Sequence, residues 1–190
     1  MKKETLIAAV MLIFGVSNLF AFSQQTYDGL ISRLGKSKTE YNDWFSSNRK
    51  ISEKFGVEFS RWYETDGDSI ATLYDKKDDT ITQTSIKYGQ FFGRQKLTNI
   101  YNGVKAIIDK NADFLYKTTR NGAGYSGKTI GTERHYFLSK DKKYFVIIEM
   151  NAEPYQGDTL YYLEVLISSK NQKNWEYIQK QLKERETVRE

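Results

Sequence analysis

The sequence predicts an α+β fold: an antiparallel sheet of about six to seven strands, with N-terminal, central and C-terminal helices packed on it. Three observations predict it. Residues 94–110 repeat apolar side chains at helical spacing, so that Leu97, Ile100, Tyr101, Val104, Ile107 and Ile108 form one stripe. Phe55, Val57, Phe59 and Tyr63 instead alternate with Gly56, Glu58, Ser60 and Glu64, the period of a half-buried strand. The strand-like segments follow one another through short turns, which favours antiparallel neighbours.

Taken in order, residues 24–35 predict a short helix with Tyr27, Leu30, Ile31 and Leu34 on one face and Gly35 as its stop. Ser37-Lys38-Thr39-Glu40 has the form of a capping box and opens a second helix, with Tyr41, Trp44 and Phe45 inward, that runs on toward Ile51. Asp66-Gly67 then predicts a two-residue hairpin turn that sets Tyr63 opposite Ile70 and Phe59 opposite Tyr74. A Thr-rich third strand, read as exposed or at an edge of the sheet, is expected near residues 79–88. Further strands are expected near residues 113–119, 132–139, 143–151 and 159–168. Phe145-Val146-Ile147-Ile148 and the Tyr161–Ile167 run are apolar on both faces, which places their strands centrally in the sheet. Ser169 and Gln172 are expected to cap a final helix with Trp175, Ile178 and Leu182 inward.

The N-terminus carries the signs of export. Lys2 and Lys3 precede an apolar run from Leu6 to Phe22 that is short for a membrane span. Small residues at Ala21 and Ser23 suit cleavage after Ser23, with cleavage after Ala21 as the close alternative and an uncleaved anchor helix as the other reading. The expected organisation is a signal peptide over residues 1–23 and one α+β domain over residues 24–190, with no transmembrane segment after cleavage. The leader holds two of the 29 basic residues and one of the 24 acidic ones, so its loss takes the net charge from +5 to +4. With no Cys, the chain has no disulfide, no thiolate ligand and no lipid-bearing cysteine, which points to a periplasmic or secreted protein held by its apolar core alone. Its cations are interleaved with acids, as in Lys76-Lys77-Asp78-Asp79, and this pattern speaks against nucleic acid as a partner.

Few motifs carry chemistry. Gly122-Ala123-Gly124-Tyr125-Ser126-Gly127-Lys128-Thr129 fits the phosphate-loop pattern. That loop needs a buried strand before it and a helix after it. Here polar Lys117-Thr118-Thr119-Arg120 precedes and a strand-like segment follows, so a hairpin loop is the better reading. His135 is the only histidine, which excludes a multi-histidine metal site. Glu149 and Glu164 each interrupt an apolar strand and form a candidate carboxylate pair for acid–base chemistry. No constellation identifies a catalytic site, a metal site or a cofactor site.

Aromatics are abundant, and some fall in loop-like surroundings. Tyr88, Phe91, Phe92 and Arg94, with Tyr125, Lys128 and Tyr155, are the candidate ligand-binding residues, on three expected loops at residues 88–94, 121–131 and 153–158. The expected function is therefore that of an exported envelope or secreted binding domain whose partner is an envelope polymer or a protein. The alternative is an extracytoplasmic hydrolase using Glu149 and Glu164, or His135.

Overall fold

The computed structural model describes residues 22–37, 50–54, 57–63, 69–75, 79–123 and 129–186. It is an antiparallel α+β arrangement. Helix α1 (Gln24–Ile31) precedes strands β1 (Lys50–Lys54), β2 (Val57–Tyr63), β3 (Ser69–Asp75) and β4 (Ile81–Phe92). Helix α2 (Arg94–Asn111) leads to β5 (Ala112–Ala123), β6 (Thr129–Ser139), β7 (Tyr144–Tyr155) and β8 (Asp158–Ser169), and α3 (Gln172–Glu186) follows. The strands form one sheet in the order β1-β2-β3-β4-β8-β7-β6-β5, every pair antiparallel.

This order puts β8 and β7 in the interior of the sheet, as their two-sided apolar sequences require. Val146, Ile148, Leu163, Val165 and Ile167 are buried on one face of these strands. They meet Leu97, Ile100, Val104 and Ile108 of α2 and Tyr27 and Leu30 of α1 in the main core. The other face of β5–β7 carries Tyr116, Tyr136 and Phe145, which pack against Ile178 of α3. Each half of the chain gives four strands and then a helix, but α2 and α3 lie on opposite faces, so the sheet is covered from both sides.

Local chemistry fixes the helix ends. The Ser23 hydroxyl accepts the Thr26 N–H at 3.1 Å and caps α1. Gly35 adopts φ +78 just past this helix, where a side chain would be strained. The Thr84 hydroxyl donates to the Leu30 carbonyl at 3.1 Å and ties α1 to β4. At α3, Asn171 and Asn174 each accept the other's backbone N–H at 2.9 Å. This reciprocal pair caps the helix in place of the expected Ser169 and Gln172.

Five expectations are corrected. The Thr-rich strand β4 is neither exposed nor at an edge: it lies between β3 and β8, with Thr84, Ser85, Ile86 and Tyr88 buried. The sheet has eight described strands rather than six to seven. The added strand is β1, where the second helix was expected to continue; Ile51 pairs with Ser60 of β2. The residues expected to begin that helix, 38–49, lie outside the described residues. The β2–β3 register places Tyr63 opposite Ser69 and Phe59 opposite Leu73, one residue away from the expected pairing. Finally, residues 88–92 and 153–155 belong to strands rather than loops. The β7–β8 connection is a two-residue turn at Gln156-Gly157, with φ +48 and +86, the positive pair that a tight hairpin requires.

Candidate functional site

The three segments expected to form loops gather at one end of the sheet. Phe92, at the end of β4, pairs with Leu160 near the start of β8, and Tyr155 pairs with Asp158 across the β7–β8 turn. Ala123 and Thr129 pair at the neighbouring tip of β5 and β6. At this end a cleft of about 410 Å³ opens between the first half of α2 and the sheet. Arg94, Leu97, Thr98 and Tyr101 line it from the helix. Glu133 and His135 of β6, Met150 and Ala152 of β7, and Tyr161 of β8 line it from the sheet.

The polar centre of the cleft is a hydrogen-bonded chain. The Tyr101 hydroxyl lies 2.8 Å from His135 Nδ1, and His135 Nε2 lies 2.5 Å from Glu133 Oε1. Glu133 and His135 are two residues apart on a strand, so their side chains share a face. His135 is 9% exposed, and both of its ring nitrogens are engaged. The Tyr101 ring meets the imidazole edge-on at 5.2 Å. Phe114 meets it edge-on from β5 at 6.1 Å. The bulge between Phe114 and Tyr116 sets these two side chains on opposite faces, one beside His135 and the other beside Tyr136. Burial raises the Tyr101 phenol above its ordinary range, and the charges of Glu133 and Asp109 add to the effect. Tyr101 therefore keeps its proton, as a hydrogen-bonding group rather than a base.

The opposite face holds the carboxylate pair. Glu149 and Glu164 sit directly across from each other on β7 and β8. Each has its own partner. Arg134 Nε donates to Glu149 at 2.5 Å, and the Ser85 hydroxyl donates to Glu164 at 2.7 Å. Burial works against the Arg134 charge, but Glu149 and Tyr136 together more than offset it and hold the guanidinium proton above its usual value. Glu149 also accepts from Asn151 Nδ2, and Asn151 Oδ1 accepts from the Thr132 hydroxyl. A charged row thus crosses the sheet, with Lys87 opposite Glu164 and Arg134 opposite Glu149. Register puts this row on the face away from α2, so His135 and the two glutamates occupy separate sites. A second cleft, of about 440 Å³, opens on this face beside α3 and is lined by Gln83, Arg134, Ser168, Asn174 and Tyr177 among others.

The remaining sequence candidates fall in different places. Arg94 opens α2 at the rim of the first cleft and is exposed. Tyr88 is buried in the main core, because its strand continues to Phe92 and directs it inward beside Leu163. Phe91 and Phe92 are strand residues opposite Tyr161 and Leu160. Tyr155 is 45% exposed at the β7–β8 turn. Tyr125 and Lys128 lie outside the described residues, and Thr129, the last residue of the phosphate-loop string, opens a strand where that loop requires a helix. Tyr101, read from the sequence only as part of an apolar stripe, and Glu133 are the site residues that sequence reasoning missed. The available signal was the Glu-x-His spacing on a strand.

Among the described residues no three His, Asp or Glu side chains gather as metal ligands, and no helix is long and apolar enough to cross a membrane. No protein-family model matches the chain, and no curated protein matches it significantly.

Proposed function

We propose that this is an exported binding domain that takes a small amphipathic molecule, or the end of an envelope polymer, in the cleft between α2 and the sheet. The observation that carries the proposal is the make-up of that cleft. Its walls are Leu97, Met150, Ala152 and Tyr161, its polar centre is the Tyr101–His135–Glu133 chain, and Arg94 stands at its rim. Concave, mostly apolar surfaces with a few convergent polar groups are where small molecules bind. Export of the domain follows from the basic and apolar N-terminus, and the absence of Cys suits a fold that holds without disulfides.

The competing reading is a hydrolase centred on His135. The hydrogen bonds weigh against it. A histidine general base must present one nitrogen to the reacting proton. Here Nδ1 is taken by Tyr101 and Nε2 by Glu133. The Glu149 and Glu164 version is weighed down by the separate partners of each carboxylate, Arg134 and Ser85.

The test is native mass spectrometry on protein exported with its own leader, followed by mild organic extraction. Binding predicts a co-purifying mass that Ala152→Asp, which sets a charge in the half-buried apolar wall outside the main core, releases while the protein stays folded. Turnover of an ester, glycoside or peptide substrate that is lost in His135→Gln but kept in Ala152→Asp would favour the hydrolase instead.

A further inference from the structure

The hydrogen-bond polarity of the cleft narrows its occupant. A carboxylate oxygen only accepts, so the proton shared by Glu133 and His135 sits on Nε2. A neutral imidazole protonated at Nε2 carries a lone pair at Nδ1, and Tyr101 must therefore donate its hydroxyl proton to it. Tyr101 is left with lone pairs alone to offer a third group. Glu133 uses Oε1 on His135, and its side chain is 37% exposed. The Thr98 hydroxyl, which also lines the cleft, donates to the Arg94 carbonyl at 3.0 Å. This wall of the cleft accepts and carries negative charge. Across from it in charge stands Arg94, whose guanidinium has no ion-pair partner among the described residues.

We propose that the occupant is a peptide-type zwitterion, with its ammonium group on Glu133 and Tyr101, its carboxylate on Arg94, and an apolar side chain against Leu97, Met150 and Tyr161. This rests on the reading of the cleft as a binding site. The cleft volume, about 410 Å³, lies within the range of small-molecule pockets. An apolar monoanion satisfies Arg94 but leaves the accepting wall unpaired, and buried acceptors without donors are costly. A plain amine satisfies the wall but meets Arg94 with like charge.

The test is calorimetric titration of the folded domain with leucyl-phenylalanine, its N-acetyl form, its C-terminal amide, and decanoate. The free dipeptide is expected to bind at least about tenfold more tightly than either blocked form. Arg94→Gln should weaken the free dipeptide about tenfold and leave the amide unchanged; Glu133→Gln should weaken the free dipeptide and leave the N-acetyl form unchanged. Equal binding of free and blocked peptides overturns the zwitterion assignment. Binding of decanoate alone overturns it as well, while leaving the cleft as a ligand site. Binding of none of the four overturns the zwitterion and removes support from the cleft itself.

A separate observation bears on processing. Phe22 is 4% exposed in the main core and packs edge-on against Tyr27 at 6.3 Å. Ser23 caps α1 through its hydroxyl, and its carbonyl accepts the Tyr27 N–H at 3.0 Å. Cleavage after Ser23 would remove both residues from the mature protein. We infer that the leader is cut after Ala21, a small residue suited to that position, so that the mature chain begins at Phe22. N-terminal sequencing of the exported protein should read Phe22-Ser23-Gln24; a start at Gln24 overturns the inference, as does recovery with the leader intact. Domains made to begin at Phe22 and at Gln24 provide a second readout. The shorter one should melt at least about 8 °C lower, and equal melting would remove the physical reason for the choice.

Discussion

Replacing Tyr101 by Phe isolates one hydrogen bond at the heart of the proposed site. The bond spans 2.8 Å from the hydroxyl to His135 Nδ1, and His135 is 9% exposed. Phe keeps the edge-on ring contact at 5.2 Å, so little packing is lost. What changes is that a buried imidazole acceptor loses its donor, which costs about 1–3 kcal/mol. In a chain of this length 1 kcal/mol moves the melting temperature by about 2–4 °C, so a fall of about 4–8 °C is expected at the middle of that range. Circular dichroism during heating measures it, and imidazole 15N shifts report the electronic state of Nδ1 directly. A melting temperature within 1 °C of the parent (far inside the expected fall of about 4–8 °C) with unchanged 15N shifts would refute the hydrogen-bonded chain.

Three further outcomes follow from other parts of the molecule. Burial, with the charges of Asp141 and Asp28, raises the Tyr27 phenol from 10.0 to about 12. The folded state holds that proton more tightly, so its contribution is complete below about pH 10 and is lost as pH rises toward 12, amounting to about 2–3 kcal/mol; urea denaturation at pH 9 and pH 11.5 measures the difference. Arg134→Met leaves Glu149 facing Glu164 without its cation and should cost about 2 kcal/mol, most of it recovered in the double variant with Glu149→Leu. Gly157→Ala puts a side chain at φ +86 in the β7–β8 turn and should cost about 1–2 kcal/mol by urea denaturation, with the cleft unchanged.

The sequence was most readable where one physical signal dominated. The α2 stripe repeats over about three turns, and residues 145–148 and 161–167 are apolar on both faces, so the central helix and the interior strands could be located without coordinates. Strand β1 could not. Lys50-Ile51-Ser52-Glu53-Lys54 has one apolar residue, and its pairing with β2 is a tertiary fact. Asp66-Gly67 carried a hairpin signal but not its register, because loop length sets the pairing and five residues separate the paired Tyr63 and Ser69. The carboxylate pair was legible as two interruptions of apolar strands. Their partners, Arg134 and Ser85, come from other strands and were not.

The cleft was harder to read because its residues mimic structural ones. Tyr101 satisfies the helical apolar stripe, and its hydroxyl is invisible to periodicity. His135 sits on an ordinary strand pattern, and only the fold brings α2 across β6 to meet it. Arg94 was singled out for its place in an aromatic-rich segment. That segment proved to be the end of a strand and the start of a helix, joined through Gly93 at φ +96. Convergence of chain segments distant in sequence is what composition and spacing do not encode.

Met150 offers the most direct measurement of whether the cleft is the binding site. The chain has three methionines, and the other two, Met1 and Met11, lie in the expected leader. The exported domain should therefore give a single methionine methyl resonance, and it comes from the cleft wall. This resonance is expected to shift between protein carrying its native ligand and protein stripped by unfolding and refolding, and adding the extracted ligand should restore it. A ligand that binds the domain while the Met150 methyl and the Tyr101 and His135 ring signals stay fixed would contradict it.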